Sequence, residues 1–173
     1  MTAFTRASLI DQARVHALRD AIVAALAARF ADIEVKAHYG KLDISDVMKK
    51  GVFNAPGVYV AATRILPDGR LSGADDFEAQ MTAYVVAEDL MVAGRRVERD
   101  EMALAICEGL LKALTDDDFA RWGVENIGEA REASAAPLFT ARDFAQGCVY
   151  YAVTWKQTLY AVADASFFTG DDA

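Results

Sequence analysis

The sequence predicts an α/β (α+β) fold: a single mixed or antiparallel sheet containing a long β-hairpin, with two main helices packed on one face. Three observations carry this expectation. Residues 58–65 (VYVAATRI) are rich in β-branched and aromatic residues, Leu66, Pro67, Asp68 and Gly69 supply turn chemistry, and 77–86 alternates with a period of two. Phe77, Ala79, Met81, Ala83 and Val85 share one apolar face of that second strand, while Glu78, Gln80, Thr82 and Tyr84 share a mixed one. A sheet with one dry face needs helical cover, and helical periodicity appears on both flanks of the hairpin, over 8–30 and 97–114.

Taken in order, the first helix rests on Val15, Leu18, Ile22, Leu26 and Phe30, whose steps of three, four, four and four place them on one stripe. Its back carries Arg14, His16 and Asp20 together with Ala24, Ala27 and Ala28, small residues of high helix propensity that can face water or a neighbouring subunit equally well. Residues 33–39 alternate Ile33, Val35 and Ala37 with Glu34, Lys36 and His38, which reads as a strand closed by Gly40. Ser45 is placed to cap a short helix over 46–50, and 54–57 forms a loop into the hairpin. Residues 88–94 lead into the second helix, with Leu104, Cys107, Leu111 and Leu114 as its expected buried stripe. Thr115 then reads as the N-cap of a short helix over 116–122, since a run of three aspartates is unfavourable at a helix C-terminus. Residues 124–127 are a short strand candidate, and 131–143 a polar connection. Residues 148–162 form a long strand with Val149, Tyr151, Val153, Trp155, Gln157 and Leu159 on one face.

The 173 residues suit one domain spanning 1–173, with frayed ends at about 1–7 and 164–173. A net charge of −8, from 26 acidic and 18 basic residues, argues against a broad nucleic-acid or anionic-membrane surface. No apolar run approaches the ~20 residues of a membrane span. The two cysteines, Cys107 and Cys148, fall in a helical and a strand pattern and read as small buried hydrophobes in a reducing compartment.

Catalytic and metal signals are weak. His16 and His38 are the only histidines and neither has a partner at ligand spacing. The acidic groups at 75–76, 116–118 and 171–172 lack calcium-loop spacing and read as caps or solvated loops. The glycines are scattered singly, so no phosphate-cradling loop is present, and neither serine nor cysteine appears in a nucleophile signature. The sequence therefore predicts no enzyme, no cofactor and no metal. Two mixed-charge regions remain as candidate contact surfaces: the cluster around Arg95 and Arg96, interleaved with acids, and the hairpin tip, where Arg64, Asp68 and Arg70 stand together.

The order of EVKAHYGKL, NAPGVYVAATRILPDGR, FEAQMTAYVVAED, ALAICEGLLKAL and CVYYAVTWKQTL resembles the tail terminator, or tail completion, proteins of Mu-like phages and prophages. The similarity spans roughly 18–162, and the phrases APGVYVA (55–61) and VTWKQTL (153–159) carry most of it. It implies a structural protein of a contractile-tailed virion, assembled in the host cytoplasm. Such subunits close as a ring, expected to be a hexamer, on the finished tail tube; they stop polymerisation and present a surface to the head-side connector. The implied partners are the chain itself, tube and sheath proteins and that connector, with neither membrane nor sequence-specific nucleic acid. A closed ring needs two different patches per subunit, for which Ala24, Ala27 and Ala28, the tip residues Arg64, Asp68 and Arg70, and Arg95 with Arg96 are the candidates. Another neck subunit, or a small-molecule-binding α/β domain, is the alternative.

Overall fold

The computed structural model describes residues 4–43, 53–67, 76–139 and 147–161. The expected turn after Pro67 and the short helix over 46–50 lie outside them, as do Asp75, the aspartates at 171–172, residues 1–3 of the expected frayed N-terminus and all of 164–173. Helices α1 (Arg6–Asp11), α2 (Arg14–Arg29) and α3 (Arg99–Leu114) accompany strands β1 (Glu34–Ala37), β2 (Gly57–Pro67), β3 (Phe77–Glu88), β4 (Leu90–Val92), β5 (Arg95–Val97), β6 (Arg131–Pro137) and β7 (Cys148–Leu159). Five strands form one mixed sheet in the order β1-β2-β3-β7-β6, and β4 with β5 forms a separate two-stranded ribbon.

The hairpin is the centre of the sheet. β2 and β3 pair antiparallel from Gly57 opposite Val86 to Pro67 opposite Phe77, with an irregularity between Ala62 and Arg64. β7 pairs along the whole of β3, from Phe77 opposite Leu159 to Glu88 opposite Cys148. β1 adds the only parallel pairing among the described residues, Val35 opposite Val58, and the helical cover sits where the alternation requires it. Leu18, Ile22 and Leu26 of α2 and Ile106 and Leu110 of α3 share one buried cluster with Val58, Val60, Met81, Val85, Val153, Trp155 and Leu159. At roughly 25 cal/mol per Å² of apolar surface removed from water, this two-helix, one-sheet cluster is the main source of stability.

Several expectations need correction. The first helix does not run unbroken over 8–30, because α1 ends at Asp11 and Ala13 (φ −75°, ψ 76°) leaves helical geometry before α2 begins. Continued backwards, the apolar stripe through Leu18 and Val15 falls on Asp11 and Ser8, so nothing holds that turn to the core. α1 carries a reciprocal cap instead: Thr5 Oγ1 accepts from Ser8 N at 3.1 Å and Ser8 Oγ from Thr5 N at 3.0 Å. The strand expected over 33–39 is shorter, since only Glu34–Ala37 pair with β2.

α3 is rotated from the expected stripe and starts later. Val97 belongs to β5, and the buried residues are Ala103, Ile106, Cys107, Leu110, Ala113 and Leu114, which leaves Leu104 exposed. Alanines at 103 and 113 allow the helix backbone to sit close to the sheet, so the helix turns that side inward. Residues 88–94 form no simple lead-in: β4 and β5 make a hairpin whose central residues Ala93 (φ 49°) and Gly94 (φ 80°) both have positive φ, as a tight primed turn requires.

Thr115 closes α3, its hydroxyl donating to the Lys112 carbonyl at 2.9 Å. Asp116 takes the capping role instead, accepting from Phe119 N at 3.2 Å, and only a 3-10 turn, Phe119–Arg121, follows. The strand candidate over 124–127 reduces to one bridge, Ile127 with Leu159. The connection expected over 131–143 instead contains β6, an edge strand that pairs with β7 from Arg131 opposite Lys156 to Pro137 opposite Tyr151. Alanine, proline and charge along it give no alternating signal because every residue of β6 is exposed.

The second face of the sheet is also drier than its residue types suggest. Tyr59, Ala61, Tyr84, Val86, Tyr150 and Ala152 form a second buried cluster, covered by Leu42, Phe53, Ala55, Leu138 and Phe139 from the connecting segments. Asp76 is buried rather than solvated, and its carboxylate accepts from Ala161 N at 2.6 Å, tying the exit of β7 to the start of β3.

Candidate functional site

The candidate contact residues are distributed over separate elements. Ala24, Ala27 and Ala28 lie exposed along the outer side of α2, as their position opposite the apolar stripe requires. Arg64 is exposed on β2 just past the irregularity in its pairing with β3. Asp68 and Arg70 lie outside the described residues.

Arg95 and Arg96 are exposed but engaged within the chain. Arg95 makes a two-pronged pair with Glu101, at 2.6 and 3.1 Å, and Arg96 reaches Asp89 at 3.0 Å. The other oxygen of Asp89 accepts from Arg99 N at 2.9 Å. Asp89 therefore supplies the cap that Glu98 does not, since Glu98 makes no side-chain bond at the N-terminus of α3. The Arg99 amide first, and Arg96 second, hold the Asp89 carboxyl below the usual carboxylate range; the Arg95 bond does the same for Glu101. This network seats the β4–β5 ribbon on the helix, and its basic residues are neutralised locally.

The histidines have structural partners. His16 pairs with Asp20 at 3.3 Å and meets Arg19 Nη2 at 2.9 Å. His38 Nδ1 lies 2.9 Å from the Gly40 carbonyl, and its ring stands edge-on to Tyr84 at 5.5 Å between centroids. Beside it, the Tyr59 hydroxyl donates to Glu34 at 2.8 Å and accepts from Asn54 N at 2.7 Å. Burial, reinforced by Glu34, pushes the Tyr59 hydroxyl well above its usual range. Glu34 in turn is lowered first by Lys36, with which it pairs, and then by Tyr59. Among the described residues no group of three or more His, Cys, Asp or Glu is arranged to hold a metal ion. Among them, too, no helix is long and apolar enough to cross a membrane.

The geometry adds a surface that the sequence reading missed. β1 stops at Ala37 while β2 continues to Pro67, so beyond Val60 no strand among the described residues lies beside the outer edge of β2. α2 begins only at Arg14, and the space left between them is an open groove of 480 Å³ lined by Ala13, Val15, Tyr39, Ala62, Ile65 and Phe77, with Arg14 and Arg19 also on its wall. Next to it α1 buries no residue at all, and Phe4, Leu9 and Ile10 are 79, 55 and 74% exposed. The signal was present in the sequence as apolar residues at 4, 9 and 10 lying outside the register of the α2 stripe. A second set of exposed apolar residues, Met91, Val92 and Leu104, lies on the β4–β5 ribbon and α3.

No protein-family model matches the chain, and no curated protein matches it either.

Proposed function

We propose that the chain is a structural subunit of a phage tail, a terminator that closes as a ring on the tail tube, stops its growth and offers a joining surface to the head side. The observation that carries this reading is the placement of exposed apolar side chains. The core is complete on both faces of the sheet without Phe4, Leu9, Ile10 and Tyr39 on one side, or Met91, Val92 and Leu104 on another. More than one apolar surface on a subunit is what a ring seated on a tube needs, because its contacts with neighbouring copies and with the tube use different patches. The exposed alanine side of α2 adds a flat surface on which a neighbour can approach closely.

The phrases that carry the resemblance support the same reading. APGVYVA opens β2 and VTWKQTL closes β7, the two strands that flank β3. On this proposal the partners are further copies of the chain, the tube and sheath, and the head-side connector, and its place is the virion tail, reached from the host cytoplasm. The test is light scattering after gel filtration together with negative-stain imaging, with and without tail tubes. Rings of six copies, free or seated on tube ends, are expected.

A small-molecule-binding domain is the second reading, and the groove favours it: 480 Å³ falls within the roughly 300–1,000 Å³ of ligand pockets. A melting temperature raised by an apolar ligand, in a chain that stays monomeric with tubes present, would select this reading over the first.

A further inference from the structure

We propose that α1 is an exchange arm: in the assembled protein its apolar side leaves solvent by seating in the groove between α2 and β2 of a second copy of this chain. The inference deepens the ring reading, on which it rests for the statement that the chain assembles with itself.

The arm is preformed. The reciprocal Thr5–Ser8 cap fixes the first turn, so the six-residue helix is held by its own hydrogen bonds rather than by burial against the rest of the fold. Phe4 and Leu9 occupy the positions of a hydrophobic staple, one before the cap and one in the second turn, and Ile10 follows. All three remain largely exposed, which leaves a rigid apolar knob attached through Gln12 and Ala13.

The receiving groove is apolar in its floor and carries Arg14 on its wall, while Arg19 beside it is paired with Asp20 at 2.8 Å. Ile65 and Phe77 are themselves partly exposed there, and Tyr39 stands fully in solvent. Among the described residues Arg14 has no ion-pair partner, its Nη2 donating to the Tyr160 carbonyl, and Asp11 at the end of the arm has none either. An arm from another copy brings a carboxylate to a guanidinium whose charge no acidic group among the described residues offsets. Knob, groove and charge are thus complementary within one chain.

The areas decide the mode of association. Scaled by present exposure, Phe4, Leu9 and Ile10 have roughly 300 Å² of surface left to remove from water, and with the groove the contact amounts to roughly 600 Å². That is about half the ~1,200 Å² at the low end of specific stable interfaces. One arm is therefore insufficient. Each subunit must both give an arm and receive one, either by reciprocal exchange between two copies or by closure of a ring.

The test uses the full-length chain in a Cys148→Ser background. Ile10→Cys and Ile65→Cys are made separately, one carrying a mass tag, then mixed and oxidised. The expected result is a 10-to-65 heterodimer at least tenfold more abundant than either like-with-like product. An absent heterodimer, or like-with-like products of equal yield, overturns the proposal. The double variant in one chain separates the remaining occupant: a disulfide that forms within monomers, at a yield independent of protein concentration, shows the arm folding into its own groove and also overturns it. As a second measurement, Leu9→Ser with Ile10→Ser should weaken self-association at least tenfold in sedimentation while leaving the melting temperature of the unassembled chain, read at a protein concentration below association, unchanged, because α1 buries nothing within its own chain. Unchanged association would refute the arm. Six-fold rings without the 10-to-65 product would leave the ring reading standing and remove this inference, whereas a crosslinked pair that sediments as a closed dimer would do the reverse.

Discussion

Gln157 offers the most searching test of the fold account. It is a polar side chain with no exposure at all, on the helix-facing side of β7. Its Oε1 accepts from Trp122 Nε1 at 2.8 Å and Trp155 Nε1 at 3.1 Å, and its Nε2 donates to the Ala120 carbonyl at 2.8 Å and the Gly128 carbonyl at 3.1 Å. One amide thus saturates two indoles and two backbone groups, and joins the segment after α3 to the sheet. Gln157→Ala leaves all four without that partner and opens a cavity. A buried group deprived of its hydrogen bond costs about 1–3 kcal/mol, and the four are coupled, so a loss of about 3–5 kcal/mol is expected rather than a simple sum. Against a total of about 5–15 kcal/mol, that is a large fraction. At about 2–4 °C per kcal/mol for a domain near this size, the melting temperature should fall by roughly 6–20 °C. Urea unfolding followed by tryptophan fluorescence measures it, and the emission of Trp122 and Trp155 should shift red in the folded variant. A loss below about 0.5 kcal/mol, within the range of ordinary surface substitutions, would refute the network.

The other predictions concern single positions. Gly57→Ala should destabilise by about 1–3 kcal/mol in urea melts, because a β-carbon there would collide with the Asn54 backbone carbonyl and the Tyr59 ring. Burial pushes the Cys107 thiol from 9.0 up to about 11. The neutral form is therefore the one the fold prefers, and its contribution to stability is complete below pH 9 and lost as pH rises through 11. Cys107 should resist thiol reagents at pH 8 in the folded protein, and Cys107→Ala should flatten the alkaline loss of melting temperature, even though it lowers stability at neutral pH. Glu34 titrates below its ordinary 4.5, so its support for Tyr59 is present above that value and lost as pH falls through the lower folded one. Glu34→Gln should make the acid limb of a melting-temperature profile shallower.

Much of the architecture was legible because it rests on periodicity. The alternation through Phe77, Ala79, Met81, Ala83 and Val85, and the helical stripe through Leu18, Ile22 and Leu26, each need only one buried face, and each is visible in a window of ten residues. What the sequence did not reveal depends on partners distant in the chain. β6 is an edge strand recognisable only beside β7, and the β4–β5 ribbon depends on positive φ at Ala93 as well as at Gly94. Tyr84 reads as part of the mixed face of the hairpin, yet it and Tyr59 are buried with Phe53 and Leu42 against them, whose approach no local pattern encodes. The candidate surfaces divide in the same way. The exposure of Ala24, Ala27 and Ala28 follows directly from the stripe opposite them, whereas Arg95 and Arg96 proved to be engaged by Glu101 and Asp89. The groove arises from a difference in length between β1 and β2, a property of two strands together rather than of either sequence.

Imaging of the full-length protein mixed with assembled tail tubes tests the central claim most directly. Six-fold rings seated at tube ends, with tubes that no longer lengthen when tube protein is added, are the predicted result; a chain that stays monomeric beside tubes that continue to grow would contradict the account.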